Sequence, residues 1–159
     1  MDYTLDQKDA FRVIGVRKTT EDAGGVWGMV KSDGGMDRLE EAQRETDESS
    51  ILSLCFGFNE EGHNDNMVGY TAESEAPIPE NQDDWTAFDY PEASWVTFVA
   101  EGKISEDFLW NTWQYIHRDF LINSGFIQED LPTSEEYDVW DEEADYGRVT
   151  IRIAVKPLS

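Results

Sequence analysis

The chain has 159 residues, with 35 Asp and Glu against 12 Lys and Arg, a formal net charge of −23 and a pI near 4.1. Such a surface repels phosphates, which excludes direct nucleic-acid binding and adsorption to anionic membranes. The single cysteine, Cys55, excludes a disulfide framework and a cysteine zinc site, and no apolar run approaches the roughly 18 residues of a membrane span.

The N-terminal residues MDYTLDQKDA are too polar and too acidic for a signal peptide, so a cytoplasmic protein is expected. Phe11–Lys18 is rich in β-branched residues and is predicted as a strand. A weak helical region follows over Glu21–Ser32 and Met36–Arg44, broken by Gly34 and Gly35. Two strands are predicted next, Ser50–Phe58 and Asn66–Glu73, around the turn NEEGHND. In the first of them Leu52, Leu54, Phe56 and Phe58 share one face, and Cys55 is expected to be a small buried hydrophobe.

Residues 74–91 form an acidic, proline-containing connector in which Trp85–Asp89 can add a short edge strand. Ser94–Ala100 is the next predicted strand. Ser105 is the expected N-cap of a helix reaching about Asn123, with Gly125 at its left-handed C-terminal position. Leu109, Trp113, Ile116 and Phe120 give that helix one apolar face, with Trp110 and His117 on an adjoining one. Two last strands, about Glu135–Asp141 and Arg148–Val155, flank the turn EEADYG.

The order strand, helix, hairpin therefore occurs twice. It predicts one α+β domain over residues 1–159, with half one about 1–75 and half two about 85–159. Two such halves, joined with pseudo-twofold symmetry, would make an antiparallel sheet with both helices on one face and a central groove.

The segment LPTSEEYDVW, residues 131–140, alternates carboxylates with aromatics on a predicted strand. From Glu45 to Gly147 the only Lys or Arg residues are Lys103 and Arg118, against 26 Asp and Glu. A carboxylate sheltered there among rings is short of protein counter-ions, and burying an unpaired charge is costly. Alternation puts Glu135 and Tyr137 on one face and Glu136 and Asp138 on the other. A solvated strand carboxylate is the plain alternative for each of them.

Taken in order, these segments resemble the GyrI-like effector-binding family, whose small-molecule domain is also attached to AraC-type and MerR-type regulators. The resemblance rests on DYTLDQKDAFRVIGVRK with Gly15, on Trp27, on YPEASWVTFVAEG with Trp95 where a tyrosine is commoner, and on LPTSEEYD. It covers nearly the whole chain. Glu135 and Tyr137 match the family's Glu-x-Tyr, and Glu136 leaves a one-residue ambiguity. The resemblance implies tandem strand-helix-strand-strand repeats, a groove with a glutamate in it, and hydrophobic, often cationic ligands. No helix-turn-helix precedes the domain, so the expectation is a sensor module standing alone.

The leading expectation is a non-enzymatic module that binds or sequesters a lipophilic cation, with Glu135 as counter-charge. Tyr137, Trp95, Tyr70, Trp110, Trp27, Phe56, Phe98, Trp113 and Met67 are the candidate walls, able to stack on a ligand or make cation–π contacts. Plain core packing is the alternative for each of these rings. Trp113 leans toward the core; Trp95, Trp110 and Tyr70 lean toward the pocket. No cofactor and no metal is expected: His63 and His117 lack a second ligand at metal spacing, and NEEGHNDN lacks the spacing of a calcium loop. Two other readings compete. One is a hydrolase of reactive cyclopropyl compounds with Glu135 as general base; the other is an acidic protein that binds gyrase or a regulator.

Overall fold

The computed structural model describes residues 3–20, 35–44, 51–58, 64–80 and 85–157. In chain order its elements are β1 (Thr4–Lys8), β2 (Phe11–Thr20), α1 (Gly35–Arg44), β3 (Ile51–Phe58), β4 (Asn64–Glu73), β5 (Thr86–Tyr90) and β6 (Ala93–Gly102), followed by a 3-10 turn (Ile104–Glu106), α2, β7 (Phe126–Gln128), β8 (Thr133–Asp141) and β9 (Tyr146–Pro157). Helix α2 starts as Phe108–Tyr115, widens into a π-helical turn over Ile116–Phe120 and ends with Leu121–Asn123. The repeated strand, helix, hairpin order is therefore present, and the fold is α+β with mostly antiparallel strands. Trp27 and the helical region predicted at Glu21–Ser32 lie outside the described residues.

The chain divides into two compact units, Asp9–Glu92 and Met1–Lys8 with Ala93–Ser159. In the first, β3, β4, β2 and β5 lie in that order, antiparallel throughout. Leu39 of α1 packs on Ile14, Val16, Val68, Tyr70 and Trp85. Gly15 pairs with Gly69 across β2 and β4. A Cβ on Gly15 would collide with the Val68 carbonyl oxygen and come within 2.5 Å of the Gly69 Cα, so the two backbones need glycine there. The connector supplies β5, held by a bidentate Arg12–Asp89 pair with Nε to Oδ1 at 2.7 Å and Nη2 to Oδ2 at 3.2 Å. Cys55 is exposed, not buried as expected. It alternates with the buried Leu52 and Leu54, so its side chain takes the other side of β3.

In the second unit the order is β1, β6, β9, β8, with β7 on β9, again antiparallel. The N-terminal strand thus pairs with β6 rather than with β2. Val96, Phe98 and Ala100 of β6 and Val149, Ile151, Ile153 and Val155 of β9 form one buried face beneath Phe108, Ile116 and Phe120 of α2. Burying each such aliphatic or phenyl side chain contributes about 1.5–3 kcal/mol, which is what fixes α2 on this face. Leu109 and Trp113 pack on the same cluster, as their helical spacing predicts.

The start of α2 departs from expectation. Ser105 lies in the 3-10 turn, and the α-helix begins at Phe108 after Asp107, a left-handed residue with φ of 53°. Ser105 is instead tied to the β8–β9 turn: its backbone N–H donates to Asp145 Oδ1 at 2.8 Å and its hydroxyl to Oδ2 at 2.5 Å. Gly125, at φ of 81°, takes the left-handed position expected after the helix.

Candidate ligand-binding site

The candidate site lies between α2 and β8 in the second unit. Register sets the first member: Glu135 pairs with Ile151, which pairs in turn with Phe98, so all three stand on the sheet face that α2 covers. Trp113 hangs from α2 over this row and donates its indole Nε1 proton to Glu135 Oε2 at 3.0 Å. Burial pushes the Glu135 carboxyl above the usual glutamate range, and the indole hydrogen bond offsets part of that rise. Among the described residues, no Lys or Arg forms an ion pair with Glu135. His117, one turn on from Trp113, stacks against its ring at 5.4 Å between centroids.

Glu136 points the other way and meets Arg152 Nη2 at 3.6 Å. Geometry therefore separates two neighbours that composition left equivalent. Glu136 has a cationic partner, while Glu135 has an uncharged donor.

Tyr137 follows Glu135 on the same face and packs against the core cluster. Its phenol is pushed above the usual tyrosine range, first by burial and then by the nearby Glu135 charge. Beyond it the strand breaks step. Tyr137 pairs with Val149 but Val139 pairs with Arg148, so Asp138 is an extra residue in a β-bulge. Strict alternation would put Trp140 with Glu136. The bulge brings it back to the Tyr137 face, opposite Gly147. The Tyr137 and Trp140 rings meet edge to face at 5.4 Å, and Phe108 lies 5.9 Å from Trp140. Helix and strand thus meet at both ends of the row, Trp113 at Glu135 and Phe108 at Trp140. Strand alternation alone assigns Trp140 to the other face, because nothing in the local pattern marks the bulge.

The other predicted residues fall elsewhere. Trp95 is only 2% exposed, and it pairs with Ala154, one step out of phase with the Phe98–Ile151 row. It therefore belongs to the sheet face opposite Glu135. Phe98 shares the Glu135 face but is fully buried beneath Phe120, at 4.9 Å between centroids. Trp110 is 63% exposed on α2. Tyr70, Met67 and Phe56 belong to the first unit. Tyr70 is buried edge-on to Trp85, at 6.1 Å. Met67 is fully buried opposite Leu54. The Phe56 ring lies 3.6 Å beneath the Arg17 guanidinium carbon, and Arg17 is also paired with Asp65 at 2.7 Å.

Chemically, the Glu135 row offers one carboxylate that accepts from the Trp113 indole and lies near the Tyr137 phenol. Among the described residues no group of three or more His, Cys, Asp or Glu side chains is placed to hold a metal ion. None of the described helices is long and apolar enough to cross a membrane.

The sequence matches the GyrI-like small molecule binding domain over residues 1–156. The chain belongs to the GyrI-like family. Its fold is similar to that of SAV2435, solved bound to tetraphenylphosphonium, with a TM-score of 0.74 and 20% identity over 98% of this chain and 94% of that one. It is also similar to a putative bacterial transcription regulation protein from Staphylococcus aureus MU50, with a TM-score of 0.67 and 20% identity over 98% and 99% of the two chains. The EcmrR C-terminal domain gives a TM-score of 0.68 at 14% identity, covering 98% of each chain. Among curated protein sequences, none matches this chain.

Proposed function

We propose that this small-molecule binding domain takes lipophilic aromatic cations at the Glu135 row. One observation carries the reading: burial raises the Glu135 carboxyl, and among the described residues its hydrogen-bond partner is the neutral Trp113 indole rather than a cation. A charge in that position is under-compensated until a positive guest arrives. At 4 Å such a pair is worth on the order of 4 kcal/mol at an effective dielectric of 20, and several times less in bulk water. Tyr137, Trp113 and Trp140 supply area and cation–π contacts of about 0.5–2 kcal/mol each. The tetraphenylphosphonium bound by SAV2435 has this chemistry, which supports the assignment of ligand class. The lone cysteine is in keeping with a reducing cytosolic setting, which this reading adopts.

Tetraphenylphosphonium and tetraphenylborate have nearly the same shape and opposite charge. Titration calorimetry should show binding of the cation and none of the anion. The Glu135→Gln variant should weaken the cation by roughly 10–100-fold, or about 1.4–2.7 kcal/mol. Equal affinity for both ions, or an unchanged affinity in the variant, would remove the electrostatic argument. A second reading draws on the same raised carboxyl beside the Tyr137 phenol, which also suits a general base acting on water. Catalytic turnover of a reactive cyclopropyl compound, lost in Glu135→Gln, is the outcome that would favour it.

A further inference from the structure

Resting on the Glu135 reading, we infer that Trp140 is a specificity-determining wall of that site and that Asp138 is the positioning residue that turns it there. Three observations meet at this point. The bulge at Asp138 places Trp140 on the Glu135 and Tyr137 face. The bulge is clasped from the opposite face, where the Thr150 hydroxyl donates to Asp138 Oδ2 at 2.6 Å. Opposite Trp140 stands Gly147, where an added Cβ would lie 2.8 Å from the Phe108 ring and 3.1 Å from Trp140 Cε3. The glycine thus leaves the space into which both rings settle.

Trp140 is nonetheless 43% exposed, although it touches two rings. A large apolar ring held in a fixed orientation, edge-on to a site residue and still open to solvent, can cover an incoming aryl group. The extra residue leaves the ladder locally unpaired, so the register of Trp140 depends on whatever fixes Asp138. Thr150 is buried and its hydroxyl needs an acceptor, which Asp138 provides. Asp138 acts through this geometry and not through its charge.

The experiment compares tetraphenylphosphonium with tetrabutylphosphonium, an alkyl cation of the same charge, on the full chain. Trp140→Ala should lose roughly 10-fold in affinity for the aryl cation and about three-fold or less for the alkyl one. Asp138→Ala should shift the same ratio in the same direction, with acrylamide quenching of tryptophan emission rising as Trp140 loosens. Asp138→Asn keeps an oxygen acceptor for the Thr150 hydroxyl and should restore both the ratio and the quenching. A wild-type protein that binds tetraphenylphosphonium with a ratio unmoved by Trp140→Ala overturns this inference and leaves the Glu135 site standing. An Asp138→Asn variant that behaves like Asp138→Ala overturns the positioning role, because charge would then be what matters. No binding of tetraphenylphosphonium by the wild type would remove both.

Discussion

The Trp113 indole donates to Glu135 Oε2 at 3.0 Å, joining a helix residue to a strand residue 22 positions further along the chain. One contact thus does two jobs. It docks α2 against β8, and it holds the carboxylate among rings without neutralising it. Replacing Trp113 by Phe keeps most of the packing and removes the donor. The ionised carboxylate then loses a charge-assisted bond, at a cost of about 1–3 kcal/mol at neutral pH. Urea unfolding at pH 7.5 and pH 4 should show a smaller loss at the lower pH, where the carboxyl is protonated. A loss equal at both would mean that the indole matters only as bulk.

The raised Glu135 carboxyl has a signed effect on stability. A group whose pKa rises on folding favours the protonated state in the native protein. Its contribution is fully present below the unfolded glutamate range and is lost as pH rises through the higher native value. Glu135→Gln should therefore raise the melting temperature of the ligand-free protein at pH 7.5. That gain should shrink toward zero as the pH falls below the ordinary glutamate range. A variant less stable than wild type at pH 7.5 would show that the carboxylate is satisfied when charged.

Ligand binding should carry the opposite dependence. A cation prefers the ionised carboxylate, so uptake expels whatever proton Glu135 still holds. Affinity for tetraphenylphosphonium should fall by up to about ten-fold per pH unit once the pH is below the native Glu135 value. Calorimetry in buffers of different ionisation enthalpy should record proton release in that range and none well above it. A flat pH profile that persists in Glu135→Gln would assign recognition to the rings alone.

Gly147 tests the far end of the row. Gly147→Ala puts a methyl 2.8 Å from the Phe108 ring, and forced repacking of this kind typically costs about 1–3 kcal/mol. Near-ultraviolet circular dichroism should change with the displaced Trp140 and Phe108 rings, and the denaturation midpoint should fall. Unchanged spectra and stability would mean that the rings yield freely.

Much of the architecture was legible from periodicity. Leu109, Trp113, Ile116 and Phe120 recur at helical spacing and do pack on one cluster, and the alternation of β6 and β9 matches their buried face. Glu135 stood out because so few cations share its stretch of chain. Two kinds of feature could not be read. Alternation separates Trp95 from Phe98, but only strand register shows that Phe98 and not Trp95 shares the Glu135 face, and only the fold packs Tyr70 against Trp85. The face that Trp140 takes could not be read either, because the bulge before it is a matter of pairing with β9, where the Thr150 hydroxyl meets Asp138.

By itself, the amino-acid order determined the acidic surface, the repeated strand, helix, hairpin pattern and the poverty of counter-ions around Glu135. Those are properties of composition and of spacing within single elements, set by side-chain chemistry and backbone period. Tertiary structure alone decided that Glu136 finds Arg152 while Glu135 finds the Trp113 indole, and that Trp140 joins the same face. Those outcomes depend on strand register, one bulge and the seating of a helix, all of which come from contacts between residues distant in the chain.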